Sequence, residues 1–443
     1  MSLKTIGYPL NSWLLIAVSL LTLFTPLANA AAPIQHWVTP SGTPVYFAET
    51  KGLPIVDVRV DFNAGSAQDP VGQSGLAALT HTLLDLGAGS DDEASIARKF
   101  ADLGAQLGGS VEMDRASISL RSLSASDKLP PAMALLRQIL SAPHFDAKVL
   151  ERERQRSMAE LKDALTRPEV QANRAFWLTV YGDHPYGRQM DEASLTALTR
   201  DEVVTFFRQH YTRNNAVITL VGDLDRAHAE KLTGKLSEVL APADLASVAS
   251  IPEVSIAAGK TVQIEHSASQ AHILLGLPTI PRGHADFFPL LVGNYTLGGG
   301  GFVSRLMQEV REKRGFAYSV YSYVAPMRQA GPFQIGLQTK RDQAADALKL
   351  TRSVLESFVA EGPSDKELAA AKANLVGGFP LRLDSNKKLL ENVAVIGYYG
   401  LPLDWLDTYQ AKISKVSRDE IRQAFKRHIR GENLNTVIVG GGE

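Results

Sequence analysis

The sequence predicts an α+β fold built from two homologous domains, and two features lead to that prediction. First, strand and helix patterns occur in both halves: in residues 55–62 apolar and charged residues alternate, as in a half-buried strand, whereas residues 76–84 have the three- and four-residue spacing of a helix. Second, residues 200–222 pair without gaps with residues 418–440, at an offset of 218 positions. Each half is therefore expected to contain a mainly antiparallel sheet packed with helices.

The internal repeat divides the chain into two domains of similar length. Between the two copies, residues 241–260 are rich in Ala, Ser and Pro and have little periodicity, which is typical of an interdomain linker. The predicted domains are residues 31–240 and residues 261–443. The matching pairs of the repeat include Arg200/Arg418, Asp201/Asp419, Phe207/Phe425, His210/His428, Asn215/Asn433 and Gly222/Gly440.

Residues 1–30 have the features of a secretory signal peptide. Lys4 supplies the positive charge, residues 13–24 form an apolar core, and Ala28-Asn29-Ala30 matches an A-x-A cleavage site. The apolar core is short for a membrane span, although an uncleaved N-terminal anchor is the alternative. No other stretch approaches twenty apolar residues, so the mature chain is expected to have no membrane span. In a Gram-negative host it would be periplasmic.

Composition excludes several classes of function. Of the 443 residues, 46 are basic and 47 acidic, a net charge of −1, and removal of Lys4 with the leader gives 45 − 47 = −2. Such a balance argues against dedicated nucleic-acid binding, which needs a basic patch. The chain has no cysteine, which excludes disulfides, thiolate metal sites and a catalytic thiol.

The remaining elements follow in order along the chain. The first half is predicted to contain, after its strands near 36–47 and 55–62, helices over 74–87 and 94–107, a strand pair over 108–123, helices over 126–140, 146–165, 168–180 and 195–211, and a strand over 216–221. The second half is predicted to contain strands over 261–265, 272–277, 317–323 and 333–339, and helices over 286–296, 342–361 and 364–376, before the repeated unit.

Four consecutive glycines, Gly298, Gly299, Gly300 and Gly301, are the most unusual feature of the second half. Glycine inside a regular element carries a large entropic cost, so they are predicted to form a loop whose backbone can approach a bound chain. A short helix follows them, and a strand rich in Tyr, Val and Ser comes next. This order predicts that Arg311, on the helix, and Tyr318, at the strand, lie close together.

This region resembles the second-domain signature of the pitrilysin/insulinase family of zinc metallopeptidases, which includes the processing peptidases. The family pattern is close to L-G-G-G-x-x-x-S-R-L-x-x-x-V-R-E-x-x-G-x-A-Y-S-V. The chain matches it at Leu297, Gly298, Gly299, Gly300, Ser304, Arg305, Leu306, Val310, Arg311, Glu312, Gly315, Ala317, Tyr318, Ser319 and Val320. Residues 184–188 also resemble the family's H-P-Y-x-R loop.

The resemblance implies two halves that face one another like a clamshell around an extended substrate. It also implies that Arg311 and Tyr318 contact the substrate and help to polarise the scissile carbonyl. The residue types suit those roles, because a planar guanidinium binds peptide carbonyls and a phenol donates to a developing oxyanion. The alternative is that Arg311 is a solvated helix charge and Tyr318 a core strand residue.

The zinc motif of the family, H-x-x-E-H, is degenerate in this chain. Alignment on Gly75-Leu76-Ala77 places its first histidine at Ala78, its glutamate at His81 and its second histidine at Thr82, while the third ligand falls near Glu160, which is retained. The motif occurs nowhere else among the ten histidines. We therefore predict that this chain holds no catalytic zinc and that zinc is bound by a partner subunit.

One replacement metal site is conceivable. His81 and Asp85 would lie one turn apart on the predicted helix, and with Glu160 they could offer three ligands. The simpler interpretation is that His81 is a partly buried histidine in a vacated pocket.

The prediction for function is a non-catalytic, substrate-binding subunit of a heterodimeric zinc metallopeptidase that acts on peptides or unfolded protein segments. The chain would be inactive alone and would contribute to peptide-bond hydrolysis beside a homologous H-x-x-E-H subunit. The rival hypothesis is a non-enzymatic peptide-binding or assembly scaffold, homodimeric or complex-bound. A self-sufficient peptidase would require the His81/Asp85/Glu160 site.

Overall fold

The structure is a computed structural model that describes residues 33–242 and 250–440. The predicted signal peptide and part of the predicted linker, residues 243–249, lie outside the described residues. Among the helices within these ranges, none is long and apolar enough to cross a membrane.

The first half contains a six-stranded sheet with the order β1-β2-β6-β3-β5-β4. Neighbouring strands are antiparallel except for β2 and β6, which are parallel. The strands are β1 (Ile34–Val38), β2 (Pro44–Glu49), β3 (Ile55–Phe62), β4 (Gln106–Val111), β5 (Ala116–Leu123) and β6 (Ala216–Gly222).

The second half contains a five-stranded sheet with the order β7-β11-β8-β10-β9. This order repeats β2-β6-β3-β5-β4, and again a single neighbouring pair, β7 with β11, is parallel. The predicted fold of two homologous, mainly antiparallel α+β halves is therefore confirmed. The strands are β7 (Thr261–Ile264), β8 (Gln270–Pro278), β9 (Ser319–Val324), β10 (Pro332–Lys340) and β11 (Asn435–Val439).

Fourteen α-helices lie in the described part of the chain. Those of the first half are α1 (Leu76–Thr82), α2 (Glu93–Leu103), α3 (Leu129–Ser141), α4 (Ala147–Ala164), α5 (Pro168–Tyr181), α6 (Glu192–Ala197), α7 (Arg200–His210) and α8 (Arg226–Val239). Those of the second half are α9 (Phe287–Asn294), α10 (Ala344–Glu361), α11 (Asp365–Gly377), α12 (Asn386–Tyr399), α13 (Trp405–Lys415) and α14 (Arg418–His428).

Two predicted helices have different bounds in the structure. The helix expected over 74–87 ends at Thr82, so Asp85 lies beyond it, in a turn that leads to Gly87 with φ +122°. The helix expected over 195–211 is two helices, because Thr199 leaves the helical conformation and begins α7 with a capping box to Glu202. The repeat has the same start, since Ser417 and Glu420 form a capping box at α14.

The polar face of β3 is buried rather than solvated. Val56, Val58 and Val60 pack in the core of the first half, as the alternation predicts. On the opposite face Asp57 and Asp61 are also buried, and arginines neutralise them; for example, Arg121 Nε donates to Asp57 Oδ1 at 2.7 Å. Both faces of β3 are therefore covered by protein.

The cover on that second face comes from the other half of the molecule, and the exchange is reciprocal. Helix α12 packs on β2, β3 and β6, while α5 packs on β8 and β11. A glycine permits close approach in each contact. A Cβ on Gly397 of α12 would lie 2.6 Å from the Tyr46 ring, and a Cβ on Gly276 of β8 would lie 2.7 Å from the Phe176 ring of α5. Each sheet thus depends on the opposite half for one of its layers.

A buried carboxylate lies where the two halves meet. Asp114, in the turn between β4 and β5, accepts hydrogen bonds from the Tyr186 and Tyr399 hydroxyls and from the backbone N–H of Arg328. The Tyr398 hydroxyl donates to the Asp114 carbonyl at 2.6 Å. Burial is the largest of the effects that raise the pKa of Tyr398 to about 12, so its phenol remains a donor.

Candidate functional site

The first two of the four glycines lie in a helical turn rather than in the predicted loop. Gly298 and Gly299 complete a π-helical turn, Tyr295–Gly299, which continues α9 without a break. Gly301 then begins a 3₁₀ turn, Gly301–Val303. The prediction of a loop was wrong for the first two glycines, because close packing against the strand β9 offsets the entropic cost of fixing glycine.

The packing explains which glycine is required for which reason. A Cβ on Gly298 would lie 2.6 Å from the backbone nitrogen of Ser322 in β9 and 2.8 Å from Leu306 Cδ1. The turn is held there by Asn294, whose Nδ2 donates to the Ser322 carbonyl while the Ser322 hydroxyl donates to Asn294 Oδ1. Gly301 differs, since its Cβ would meet open space but its φ is +62°. Only Gly301 is therefore needed for its backbone conformation.

Arg311 and Tyr318 lie together at the surface. Arg311 belongs to a π-helical segment, Met307–Glu312, and Tyr318 immediately precedes β9. The Arg311 guanidinium lies 5.5 Å from the centre of the Tyr318 ring and 5.1 Å from that of Phe302, within cation–π range of both. The two rings are 74% and 66% exposed. Tyr318 is therefore not a core strand residue, and its hydroxyl is free to reach a bound molecule.

The hydrogen-bond donors of Arg311 are largely unused. Its Nη1 contacts the Met307 sulfur at 3.9 Å, and its Nε lies 3.8 Å from Glu312 Oε1, which is too long for a hydrogen bond. Arg305, six positions earlier, donates to both oxygens of Glu367 at 2.6 and 2.7 Å and to the Gly362 carbonyl. Of the two arginines in the motif, Arg305 is a structural residue and Arg311 is available to a ligand.

The residues at the degenerate zinc positions are satisfied within the fold. His81 Nε2 lies 2.8 Å from the Ser117 carbonyl, and burial lowers the pKa of His81. Ala78 has no side-chain atom that could bind a metal, and the Thr82 hydroxyl donates to the Ala78 carbonyl. Glu160 is exposed and pairs with Arg156 at 2.9 Å. This pocket does not fit a catalytic zinc ion.

The replacement site built from His81, Asp85 and Glu160 is not assembled either. Within residues 33–242 and 250–440, the one group with metal-ligand spacing is His284, Asp286 and His428, in the second half.

The His284, Asp286 and His428 group is also bonded internally. Arg427 donates to both carboxylate oxygens of Asp286, the His428 Nε2 lies 2.7 Å from Asp286 Oδ2, and the Asp286 N–H donates to His284 Nδ1. Burial would raise the pKa of Asp286, but the bonds from Arg427 and His428 outweigh it and hold that pKa below its usual value. With its carboxylate neutralised by arginine, we assign no metal to this group.

The sequence predictions did not include Phe302. This aromatic residue directly follows the glycines, and its ring covers one face of the Arg311 guanidinium. The sequence did contain a signal for it. Phe302 is a large apolar residue beside a glycine run, and no periodic pattern there predicts its burial.

Comparison with known proteins places these features in one family. Residues 45–193 match the family model for insulinase, peptidase family M16, and residues 197–375 match the model described as the peptidase M16 inactive domain.

Individual relatives agree with this assignment. An uncharacterized zinc protease of Streptomyces coelicolor is 30% identical over 322 residues, which cover 70% of this chain and 69% of the relative. A non-peptidase homolog, YmxG, of Helicobacter pylori is 25% identical and covers 93% of this chain and 95% of its own.

Solved structures share the architecture. The peptidase M16 inactive domain from Pseudomonas fluorescens superimposes with a TM-score of 0.88 at 35% identity and covers 93% of this chain and 98% of that one. The periplasmic protease PqqL from Escherichia coli shares the fold, with a TM-score of 0.80 at 16% identity, over 93% of this chain and 46% of its own. The chain therefore belongs to the insulinase family, peptidase family M16, and lacks the family's catalytic zinc motif.

Proposed function

We propose that this chain is the substrate-binding, non-catalytic subunit of a two-subunit zinc peptidase that cleaves peptides or unfolded protein segments. The observation that carries the proposal is the contrast between its two candidate sites. The residues at the zinc positions are bonded within the fold, whereas the Arg311 donors are largely unused and lie between two exposed rings.

The arrangement suits binding to a peptide chain. A guanidinium that already packs against two aromatic rings loses little further freedom when it donates to a peptide carbonyl. Binding therefore costs less conformational entropy. The exposed Tyr318 hydroxyl would donate to the oxygen that becomes negative during cleavage. The zinc and its activated water would belong to a homologous partner that carries H-x-x-E-H. The peptide would lie between the two subunits.

The name of one relative supports the absence of catalysis in this chain. One similar relative is named an uncharacterized zinc protease and another a non-peptidase homolog, and the second name agrees with a chain that lacks the zinc motif. We assign the chain to the periplasm on the leader predicted at residues 1–30.

Native purification of the mature chain from its own cells tests the proposal. The expected result is a stoichiometric partner of similar size that bears H-x-x-E-H, and peptidase activity that requires both subunits and is abolished by chelation of zinc. A partner that cleaves peptides equally fast without this chain would contradict the assigned role.

A binding or assembly scaffold is the second candidate, and the relative named a non-peptidase homolog favours it. Here Arg311 and Tyr318 would hold a peptide that is not cleaved. Recovery of the chain alone or as a homodimer, together with peptide binding that requires Arg311, would support this candidate over the heterodimer.

A further inference from the structure

A second candidate site lies in a cleft between the two halves. The cleft has a volume of about 790 Å³, which is within the range of ligand sites, and it separates α5 of the first half from β8, β10 and β9 of the second. Because α5 covers the sheet only over β8 and β11, the sheet surface near β9 and β10 is left open to solvent.

Aromatic rings form the floor and one wall of this cleft. Tyr321 of β9 is paired with Gly336 of β10, and a Cβ on Gly336 would lie 2.5 Å from the Tyr321 hydroxyl. The missing side chain therefore lets the tyrosine ring lie across the neighbouring strand. Trp177 of α5 also lines the cleft. The two rings offer apolar surface to a ligand that enters between them.

The polar groups of the cleft are mainly carboxamides. Asn173, Gln189, Gln334 and Gln338 line it. Its titratable residues are Glu169, Arg174 and His272, and burial lowers the pKa of His272, which favours the neutral ring. Arg174 donates to the Met190 carbonyl and is thus engaged. A carboxamide both donates and accepts, which matches the N–H and C=O groups of a peptide backbone. The lining therefore favours an uncharged, amide-rich ligand.

The cleft and the Arg311/Tyr318 site share β9, the edge strand of the second sheet, but they lie on opposite faces of it, since Val320 packs in the core beneath the Arg311 segment and Tyr321 lines the cleft. Tyr318 immediately precedes β9, and Ser319 and Tyr321 of that strand line the cleft. At about 3.3 Å per residue, Tyr318 and Tyr321 are about 10 Å apart. An extended peptide held by Arg311 would cross the free edge of β9 and reach the cleft after about three further residues.

We propose that this cleft is a second subsite for the same peptide, and that it selects uncharged polar or aromatic side chains about three residues away from the position held by Arg311. This inference rests on the proposed function, since it extends the peptide bound there. It assigns specificity to a surface made by both halves of one chain.

Fluorescence of Trp177 tests the inference directly. The probes are a disordered, Trp-free peptide of about sixteen residues rich in Gln, Ser and Phe, and a fragment of about three residues, too short to reach the cleft from the Arg311 site. We expect the long peptide to change the tryptophan emission and the fragment to leave it unchanged. The Trp177→Phe variant should remove the change and thereby assign it.

Two variants on α5 provide a matched comparison. Asn173 is exposed and lines the cleft, so Asn173→Arg should fill the cleft without disturbing the core. It should weaken binding of the long peptide by about tenfold. Leu178→Arg adds the same side chain at an exposed position outside the cleft and should leave binding unchanged. Both variants should bind the fragment like the parent chain.

The outcomes separate this inference from the proposed function. If the long peptide binds in an Arg311-dependent manner but neither changes Trp177 emission nor responds to Asn173→Arg, the second subsite is refuted and the proposed function stands. If Arg311→Ala leaves binding of both peptides unchanged, the proposed function fails, and the inference fails with it.

Discussion

Arg305, Arg311 and Arg314 lie within ten positions of one another, yet their surroundings give them different roles. Arg305 is bound to Glu367 and Gly362, Arg311 lies between two aromatic rings with unused donors, and Arg314 is exposed. The family resemblance gives the substrate role to Arg311, but residue type and spacing alone offer no reason to prefer it to Arg305. The distinction depends on Glu367, which is distant in sequence.

Arg311→Ala should weaken peptide binding to the isolated chain by about tenfold or more, because hydrogen bonds from a charged donor contribute about 1.5–3 kcal/mol. Fluorescence anisotropy of a labelled peptide would measure the effect. Arg314→Ala removes the same charge from the same segment and serves as the control. Equal losses in the two variants would mean that Arg311 acts only through the overall charge.

Tyr318→Phe should reduce the turnover number of the reconstituted two-subunit peptidase by about 10²–10³, the usual cost of one oxyanion donor. The hydroxyl is solvent-exposed in this chain, so its removal should not alter folding. Steady-state kinetics should show the loss in kcat with little change in KM. An unchanged kcat would remove the oxyanion role from Tyr318.

Glu367 makes stability depend on pH in the acid range. Burial would raise its pKa, but the hydrogen bonds from Arg305 and Ser364 outweigh burial and lower the pKa to about 2 from 4.5. A lowered folded pKa means that the stabilisation is complete above about pH 4.5 and is lost as the pH falls towards 2.

Glu367→Gln should therefore destabilise the protein by about 1–2 kcal/mol at neutral pH, a value reduced by the partial exposure of the pair. The difference from the parent chain should shrink between pH 4.5 and 2 in denaturant titrations. Glu356→Gln, at an exposed position on α10, should have no comparable effect at any pH. A difference that persists undiminished at pH 2 would refute the ionic origin.

At the scale of elements, the sequence predicted correctly most of the segments that have strong periodicity. It missed the places where tertiary contacts determine the backbone conformation. The capping residues of α7 and α14 are local, so the repeated unit was recognisable. The π-helical turn at Gly298 was not, because its stability comes from contact with Ser322, over twenty residues away. Likewise, Thr199 ends a helical pattern that periodicity alone would continue.

The glycine turn yields a comparison between two substitutions. Gly298→Ala should cost about 3 kcal/mol, because its Cβ would lie 2.6 Å from the Ser322 backbone and the strand cannot easily move. Gly301→Ala should cost about 1 kcal/mol, because space is open and only the positive φ is strained. Thermal denaturation would rank them. The reverse order would mean that backbone strain, rather than packing, is the main reason why glycine is required in this turn.

At the scale of the whole molecule, the reciprocal exchange of α5 and α12 is the feature that no local pattern could indicate. The repeat predicts two similar halves. The apolar pattern of an amphipathic helix does not show, however, which of the two sheets the helix will cover. The choice is made by particular contacts such as Phe176 with Gly276 and Tyr46 with Gly397. The covered polar face of β3 has the same origin. A chain divided into two independent domains would leave both of these sheet faces bare.

This exchange determines how the protein should respond to Asp114→Ala. The carboxylate is 2% exposed and joins Tyr186 of the first half to Tyr399 and Arg328 of the second, so its removal takes the acceptor from the buried Tyr186 hydroxyl, the half-buried Tyr399 hydroxyl and the Arg328 N–H. The expected cost is about 3–5 kcal/mol. Asp127→Ala, at an exposed position, should be neutral.

Calorimetry of Asp114→Ala should nevertheless show one cooperative transition at a lower temperature. Neither sheet can keep its apolar and polar layers once the opposite half unfolds, because α5 and α12 would leave with it. Independent domains would instead separate into two transitions when the contact between them is weakened. Two resolved transitions in this variant would show that the exchanged helices do not couple the halves. A single transition would mean that both peptide subsites are held in one rigid frame.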